Sequence, residues 1–200
     1  MTGTSAIATH EITGVILAGG RGTRLGGVDK GLVRLNGRPL VEYALAALRP
    51  QVGGLVISAN RNRDVYASYG FPVITDVVQG FEGPLAGMLS SLRAATTPYI
   101  LCAPCDAPLI PSDLARRLAG ALVRENAAIS AVVLHGRLQP VYSLLRTVLA
   151  SDLENYLQQG ERGTGEWLRR HRVVQVDFSN EADAFININT PEELHAAERL

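Results

Sequence analysis

An apolar run, Ile12 to Leu17, ends abruptly in Ala18-Gly-Gly-Arg-Gly-Thr-Arg-Leu-Gly-Gly-Val-Asp-Lys-Gly31. A short apolar strand that empties into a glycine-crowded, cationic loop belongs at the open end of a sheet, where a ligand sits. Glycine has no Cβ, so the backbone amides of Gly19, Gly20 and Gly22 can approach a bulky anion closely. Arg21, Arg24 and Lys30 bring positive charge to where phosphates would lie. Two familiar phosphate loops are excluded by spacing. A Walker loop needs Ser or Thr after its lysine, and Lys30 is followed by Gly31. The dinucleotide fingerprint fails because, counted from Gly20, its last glycine position is Leu25. The loop therefore reads as a triphosphate cradle of another kind.

The rest of the chain alternates between the two periodicities. Strands are predicted at Ile12–Leu17, Leu55–Ser58, Pro72–Thr75 and Tyr99–Cys102. Asn36-Gly37 marks a tight turn inside Val33–Leu40. Helices are predicted from Leu40 to Pro50, over Asp64–Tyr69, and over Leu85–Ala95 with Pro84 at the first position. A further helix begins at Ser112, acting as cap, and runs to about Glu125. Ile129–Leu134 and Leu138–Ser143 pair around His135-Gly136, and a helix is expected from Leu144 to Leu157. A glycine-broken segment, Gly160 to Gly165, precedes a late strand at Val173–Val176 and a short alternating piece at Phe185–Ile188. Thr190-Pro-Glu-Glu193 matches a capping box opening a terminal helix. This alternation implies an α/β fold: a single-domain, three-layer, Rossmann-like arrangement with a mostly parallel central sheet. Residues 1–10 read as a flexible N-terminal extension and 11–200 as the single α/β domain.

Composition narrows the classes further. Nineteen basic residues balance nineteen acidic ones in 200, and 46% of the chain is hydrophobic. Zero net charge argues against a general nucleic-acid or membrane-surface binder. No apolar run reaches membrane-spanning length. Met1–His10 lack a basic start and an apolar core, so no secretory signal is read there and a cytoplasmic address is expected. Cys102-Ala-Pro-Cys105 has redox or zinc spacing, but no second pair or histidine cluster accompanies it. Two small buried residues are the better reading.

In a parallel sheet, ligands bind beyond the carboxyl ends of the strands. Four informative positions fall there: the loop after Leu17, then Asn60, Asp76 and Asp106 after the next three strands. Asp106 has the hard oxygen that suits Mg²⁺, which keeps its waters and bridges to phosphate, so one carboxylate beside a triphosphate suffices. A turn cap near Ser112 is its other role. Asn60 and Asp76 suit contacts to a nucleoside base or ribose, or hydrogen bonds that hold their own loops. Gly83 permits unusual backbone angles before a helix. Gly87 either makes room for a ligand or lets the helix pack tightly on the sheet. Asn187 and Asn189 lie on one face of an extended segment, fit to hydrogen-bond a polar heterocycle or simply to lead into the capped helix.

Taken in order, Leu17-Ala-Gly-Gly20, Leu25-Gly-Gly-Val-Asp-Lys30, Gly83-Pro-Leu-Ala-Gly87, Pro104-Cys-Asp106 and Asn187-Ile-Asn189-Thr-Pro-Glu-Glu-Leu194 resemble the molybdenum cofactor guanylyltransferases, over about residues 12 to 200. The resemblance implies a nucleotidyltransferase that joins GMP from GTP to the terminal phosphate of molybdopterin or Mo-molybdopterin, with Mg²⁺ as cofactor. It implies nucleotide contacts through Leu17, Ala18, Gly19, Gly20 and Gly83, with Asn60 and Asp76 on the nucleoside side. Lys30 and Arg24 would meet phosphate and Asp106 would hold Mg²⁺. Asn187, Asn189 and Arg162 would face the pterin and its phosphate. Acceptor molybdoenzymes or cofactor-delivery proteins are the partners such an enzyme would meet. Arg21-Gly-Thr-Arg24 is also similar to a loop of sugar-nucleotide pyrophosphorylases, which keeps a sugar-1-phosphate or cytidylyl nucleotidyltransferase as the alternative. A catalytically silent nucleotide-binding module is a third class, opposed by Lys30 and Asp106 occurring together.

Overall fold

The computed structural model describes residues 6–19, 28–76 and 83–199. Its first strand, β1 (Ile12–Leu17), lies inside the central sheet, and its side chains feed two different cores. Ile12 and Ile16 join one apolar cluster and Val15 joins another, as strand alternation requires. After it come β2 (Arg34–Leu35) and β3 (Arg38–Pro39), a small hairpin turning at Asn36-Gly37, and α1 (Leu40–Leu48). Both turn residues have positive φ, +49° and +79°, which asparagine and glycine tolerate. Next are β4 (Gly54–Ser58), α2 (Arg63–Ala67), β5 (Val73–Ile74), α3 (Pro84–Ala94), β6 (Tyr99–Pro104) and α4 (Leu114–Arg124). The C-terminal half supplies β7 (Ile129–Leu134), β8 (Arg137–Arg146), α5 (Ala150–Gln158), α6 (Thr164–Arg169), β9 (Val173–Asp177) and α7 (Pro191–Ala197).

Among the described residues the main sheet has seven strands in the order β5-β4-β1-β6-β8-β7-β9. Only β8 runs against its neighbours; every other pairing in the sheet is parallel. The expected three-layer α/β fold with a mostly parallel sheet is what the chain adopts. On one face α1 and α4 cover Ile16, Leu55, Ile57, Leu101 and Ala103. On the other, α3, α5 and α6 cover Val15, Ile100, Cys102, Ile129 and Leu145. The chain steps from β1 to β4 and β5 on one side and then crosses to β6 on the other. Strand order reverses between β1 and β6, so a crevice opens beyond their carboxyl ends. A third, small core of Leu35, Leu40 and Ile188, flanked by Leu194 and Ala197, fastens the C-terminal segment to the hairpin. At the other end of the chain, Ile7 packs against the α1/α4 core and Thr9–Glu11 forms a 3-10 turn. No described helix is long and apolar enough to cross a membrane.

Several elements differ from their sequence reading. Strand β8 continues to Arg146 where a helix was expected from Leu144, and α5 begins only at Ala150, after a 3-10 turn. Leu144 and Leu145 are both buried, one on each sheet face. A run buried on both faces has no alternation to distinguish it from a helix. The segment Gly160–Gly165, read as broken, contains the start of α6. The cap of α4 is Asp113 rather than Ser112, and its carboxylate pairs with Arg116 at 2.6 Å instead of with the helix backbone. Phe185–Ile188 is no strand: it leaves a 3-10 turn, Ser179–Phe185, and runs extended to the Thr190 capping box.

Candidate active site

At the crevice the ladder extends one residue past the strands. The Ala18 amide donates to the Ser58 carbonyl at 2.8 Å, and the Cys105 amide donates to the Leu17 carbonyl at 3.1 Å. These bonds form the floor of a cleft of about 260 Å³, walled by Leu17, Ala18, Gly19, Lys30, Asp106 and Asn189, among others. Helix α3 starts at its edge. Gly83, the helix cap, has φ +104° and ψ 178°, a conformation open to glycine alone, and Pro84 occupies the first helical position. Gly87 faces the strand ends: a Cβ there would lie 2.5 Å from Ser58 Oγ and 3.2 Å from Leu17 Cδ2. Tight packing of α3 on the sheet is therefore the reason for glycine at this position, and that packing brings the start of α3 to the cleft wall.

Opposite α3 stands the 3-10 turn Lys30–Leu32. The Lys30 ammonium lies 3.4 Å from Asp106 Oδ2 and donates to Asn189 Oδ1. Asn189 in turn donates its Nδ2 to the Asn187 carbonyl at 3.0 Å. The Tyr142 hydroxyl donates to Asn187 Oδ1 at 3.0 Å. The amide of Ile188, between the two asparagines, donates to the Asp106 carbonyl at 3.0 Å. Residues from β6, the Lys30 turn, β8 and the C-terminal segment thus meet through one continuous set of hydrogen bonds. Asp106 is only 6% exposed. Burial pushes its carboxyl above the ordinary carboxylate range, against the opposing pull of the Lys30 charge.

Beyond β4 and β5, Asn60 and Asp76 bind each other. Asn60 Nδ2 donates to Asp76 Oδ2 at 2.6 Å, and the Asp76 amide donates to Asn60 Oδ1 at 2.9 Å. Asp76 lines the cleft; Asn60 reaches it by fixing Asp76 and lies beside Gly19. Burial raises the Asp76 carboxyl too, and the Asn60 bond offsets part of the rise. Arg162 stands apart from these residues. Its guanidinium donates to the carbonyls of Leu157 and Glu161, at 2.9 and 2.6 Å, at the end of α5. Gly20 and Arg24, expected on the phosphates, lie outside the described residues. Cys102 and Cys105 are free, buried thiols, and burial raises both well above the reactive range.

Three carboxylates, Asp29, Asp76 and Asp106, line the described part of the cleft. No described group of three or more His, Cys, Asp or Glu side chains could cage a metal. A hard divalent ion that arrives on a polyphosphate needs only one anchoring carboxylate, and Asp106 has the right oxygen donor beside the Lys30 ammonium. The residues therefore fit Mg²⁺. Sequence reasoning missed Asp29, Tyr66 and Tyr142. Asp29 stands inside the Leu25–Lys30 motif, but its role, like those of Tyr66 and Tyr142, arises from contacts to residues far along the chain.

A family model described as "MobA-like NTP transferase domain" matches residues 14–176. A molybdenum cofactor guanylyltransferase from Ralstonia nicotianae is 51% identical over 197 residues, covering 94% of this chain and 96% of that protein. One of the same name from an Acidovorax species is 46% identical over 207 residues, covering 97% and 98%. Among solved structures, molybdopterin-guanine dinucleotide biosynthesis protein A from Archaeoglobus fulgidus superposes with a TM-score of 0.79 at 25% identity, over 94% of this chain and 97% of that one. A 4-diphosphocytidyl-2C-methyl-D-erythritol synthase from Anaerococcus prevotii shares the fold, with a TM-score of 0.71 at 14% identity over 96% and 98%. With most of its sheet inside the matched region, and relatives about half identical along nearly its whole length, this chain belongs to the MobA-like NTP transferase family.

Proposed function

We propose that this protein transfers the guanylyl group of GTP to the terminal phosphate of molybdopterin, releasing pyrophosphate. The observation that carries the reading is Lys30, whose ammonium joins Asp106 at the strand ends to Asn189 on the C-terminal segment. One cation faces both halves of the cleft, where donor and acceptor phosphates must meet. The names borne by the relatives supply the two substrates. The resemblance and the Asn60–Asp76 pair support placing the nucleoside over β4 and β5, with the pterin at Asn187 and Asn189.

In this reading an acceptor phosphate oxygen attacks the α-phosphorus of GTP in line. The bond from that phosphorus to the β-phosphate oxygen breaks, and the electron pair leaves with pyrophosphate. The acceptor phosphate is already ionised near neutral pH, so the protein needs to position and neutralise more than to move protons. Lys30 supplies a fixed positive charge beside a floor formed by Leu17, Ala18 and Cys105. Asp106 would hold Mg²⁺, which when bound neutralises charge on the donor phosphates. Asn189, held by Lys30, and Asn187, held by Tyr142, orient the acceptor. Two unpaired thiols are in keeping with a reducing, cytoplasmic setting.

The test is direct. Protein, Mg²⁺, GTP and molybdopterin are incubated, and pyrophosphate and the dinucleotide are measured. Both products form with GTP and not with CTP. Product from CTP, or from a sugar 1-phosphate as acceptor, would replace this reading with the alternative.

A further inference from the structure

The Lys30 turn is held by α2 and its capping residue. Asp29 occupies the capping position of that turn, where an aspartate ordinarily accepts from a backbone amide. It makes no such bond. Its carboxylate points instead to α2: the Tyr66 hydroxyl donates to Oδ1 at 2.5 Å and Asn62 Nδ2 donates to Oδ2 at 2.9 Å. Asp29 is 7% exposed and Tyr66 is wholly buried. Two further features show that the chain is shaped around this contact. Gly31 follows Lys30, and a Cβ there would sit 2.5 Å from the Tyr66 hydroxyl and 3.2 Å from Cys105 Sγ. Asn62, which caps α2, holds a left-handed backbone at φ +48° and also makes no capping bond to its helix. Two caps thus forgo their local partners to meet each other. The pairing spans 33 residues to Asn62 and 37 to Tyr66.

A buried anion beside a polyphosphate site is unfavourable unless its charge is absorbed. Two donors from α2 absorb it here, so the Asp29 carboxylate is held off the Lys30 ammonium, which remains directed at Asp106 and Asn189. We infer that Tyr66, with Asn62, is a positioning residue for the transferase reaction, acting through Asp29 to fix the Lys30 turn in register with the nucleotide phosphates. The inference rests on the guanylyltransferase reading for the role of Lys30 itself.

A double-mutant cycle tests it. Steady-state turnover and the GTP dissociation constant by calorimetry are measured, with Mg²⁺, for the wild type, Tyr66→Phe, Lys30→Ala and the double variant. Tyr66→Phe keeps the ring and removes one bond to a charged acceptor, so kcat/KM for GTP falls about ten-fold, with KM and the dissociation constant both rising. In the double variant the second loss disappears, and its GTP affinity equals that of Lys30→Ala. Losses that multiply in the double variant, or a Tyr66→Phe enzyme with a lowered kcat and unchanged GTP affinity, would overturn the inference in favour of a merely structural tyrosine. Asn62→Gly removes the other donor, at a backbone angle glycine accepts, and gives the same non-additivity if Tyr66→Phe does not fold. A Lys30→Ala enzyme as tight and active as wild type would instead sink the role of Lys30, and the guanylyltransferase mechanism with it.

Discussion

Asp106 shows how one side chain can oppose stability and serve function. Its folded carboxyl titrates above the ordinary value because burial outweighs the help from Lys30. The folded chain therefore holds that proton more tightly than the unfolded chain does. The carboxyl's stabilising contribution is complete below its unfolded pKa and is lost as pH rises through the folded value, leaving a cost at neutral pH. Asp106→Asn removes the charge while keeping the shape. Its melting temperature exceeds that of the wild type at pH 7.5, and the advantage vanishes as pH falls into the carboxylate range. Under the proposed mechanism, in which Asp106 would anchor Mg²⁺, turnover with GTP and Mg²⁺ falls by about 100-fold or more. Calorimetric melts at several pH values, alongside pyrophosphate release, check both halves. A less stable variant at pH 7.5 would mean that the Lys30 pairing outweighs the cost of burial. At this scale the sequence was readable where chemistry is local: Lys30, Asp106, Asn187 and Asn189 sit in short motifs and meet in the cleft. Tyr66 and Tyr142 were not readable, and Asp29 was visible only as part of the Leu25–Lys30 motif without its role, because each becomes informative only when a partner dozens of residues away is brought to it.

Elements were legible where their signals are periodic or punctuated. Strand β1 has the bounds its apolar run predicts, Asn36-Gly37 turns the hairpin, and Thr190 caps α7. Strand β8 was misread because burial on both faces erases its alternation. Helix α6 was missed because Gly163 and Gly165 look like breakers, although Trp167 and Leu168 are fully buried beneath it. Helix α3 carries the element-scale prediction. A methyl at position 87 would meet Ser58 and Leu17, the very residues at the cleft floor. Gly87→Ala therefore has two opposing consequences: better intrinsic helix propensity, worth at most about 1 kcal/mol, and overpacking, which costs about 1–3 kcal/mol. Overpacking wins, since the obstacle includes the Leu17 side chain of a central strand. Thermal unfolding shows a net loss of stability, and KM for GTP rises because Gly83 and Pro84 move with the helix. A stabilised variant with unchanged KM would show that α3 can lift from the sheet without disturbing the cleft.

Across the whole molecule, the two substrates are assigned to parts of the chain with different fastenings. In the proposed arrangement the nucleotide side rests on the parallel strand ends β1, β4 and β6, which are anchored in both large cores. The proposed acceptor side rests on residues 187–189, which belong to no strand and are held by the small third core, by the Ile188 bond to Asp106, by Lys30 and Tyr142, and by Glu193. Glu193 Oε2 accepts from the amides of Asn189 at 2.6 Å and Thr190 at 3.0 Å, so the capping box of α7 also fixes the backbone that carries the acceptor contacts. Held by a small core and side-chain bonds rather than by a strand ladder, this segment loosens before the sheet does. Glu193→Ala removes a cap worth about 1 kcal/mol, which corresponds to a shift of about five-fold in an equilibrium. The expected result is a several-fold higher KM for molybdopterin, with the protection that GTP gives against heat left as in the wild type. Glu193→Gln retains an acceptor oxygen in place and restores the acceptor KM, which separates the hydrogen bonds from the charge. Equal losses on both substrates would mean that the cleft behaves as one rigid unit, coupled through the bond from Lys30 to Asn189; a loss confined to the acceptor would mean that α7 governs the pterin half alone, through the bonds from the Asn189 and Thr190 amides to Glu193.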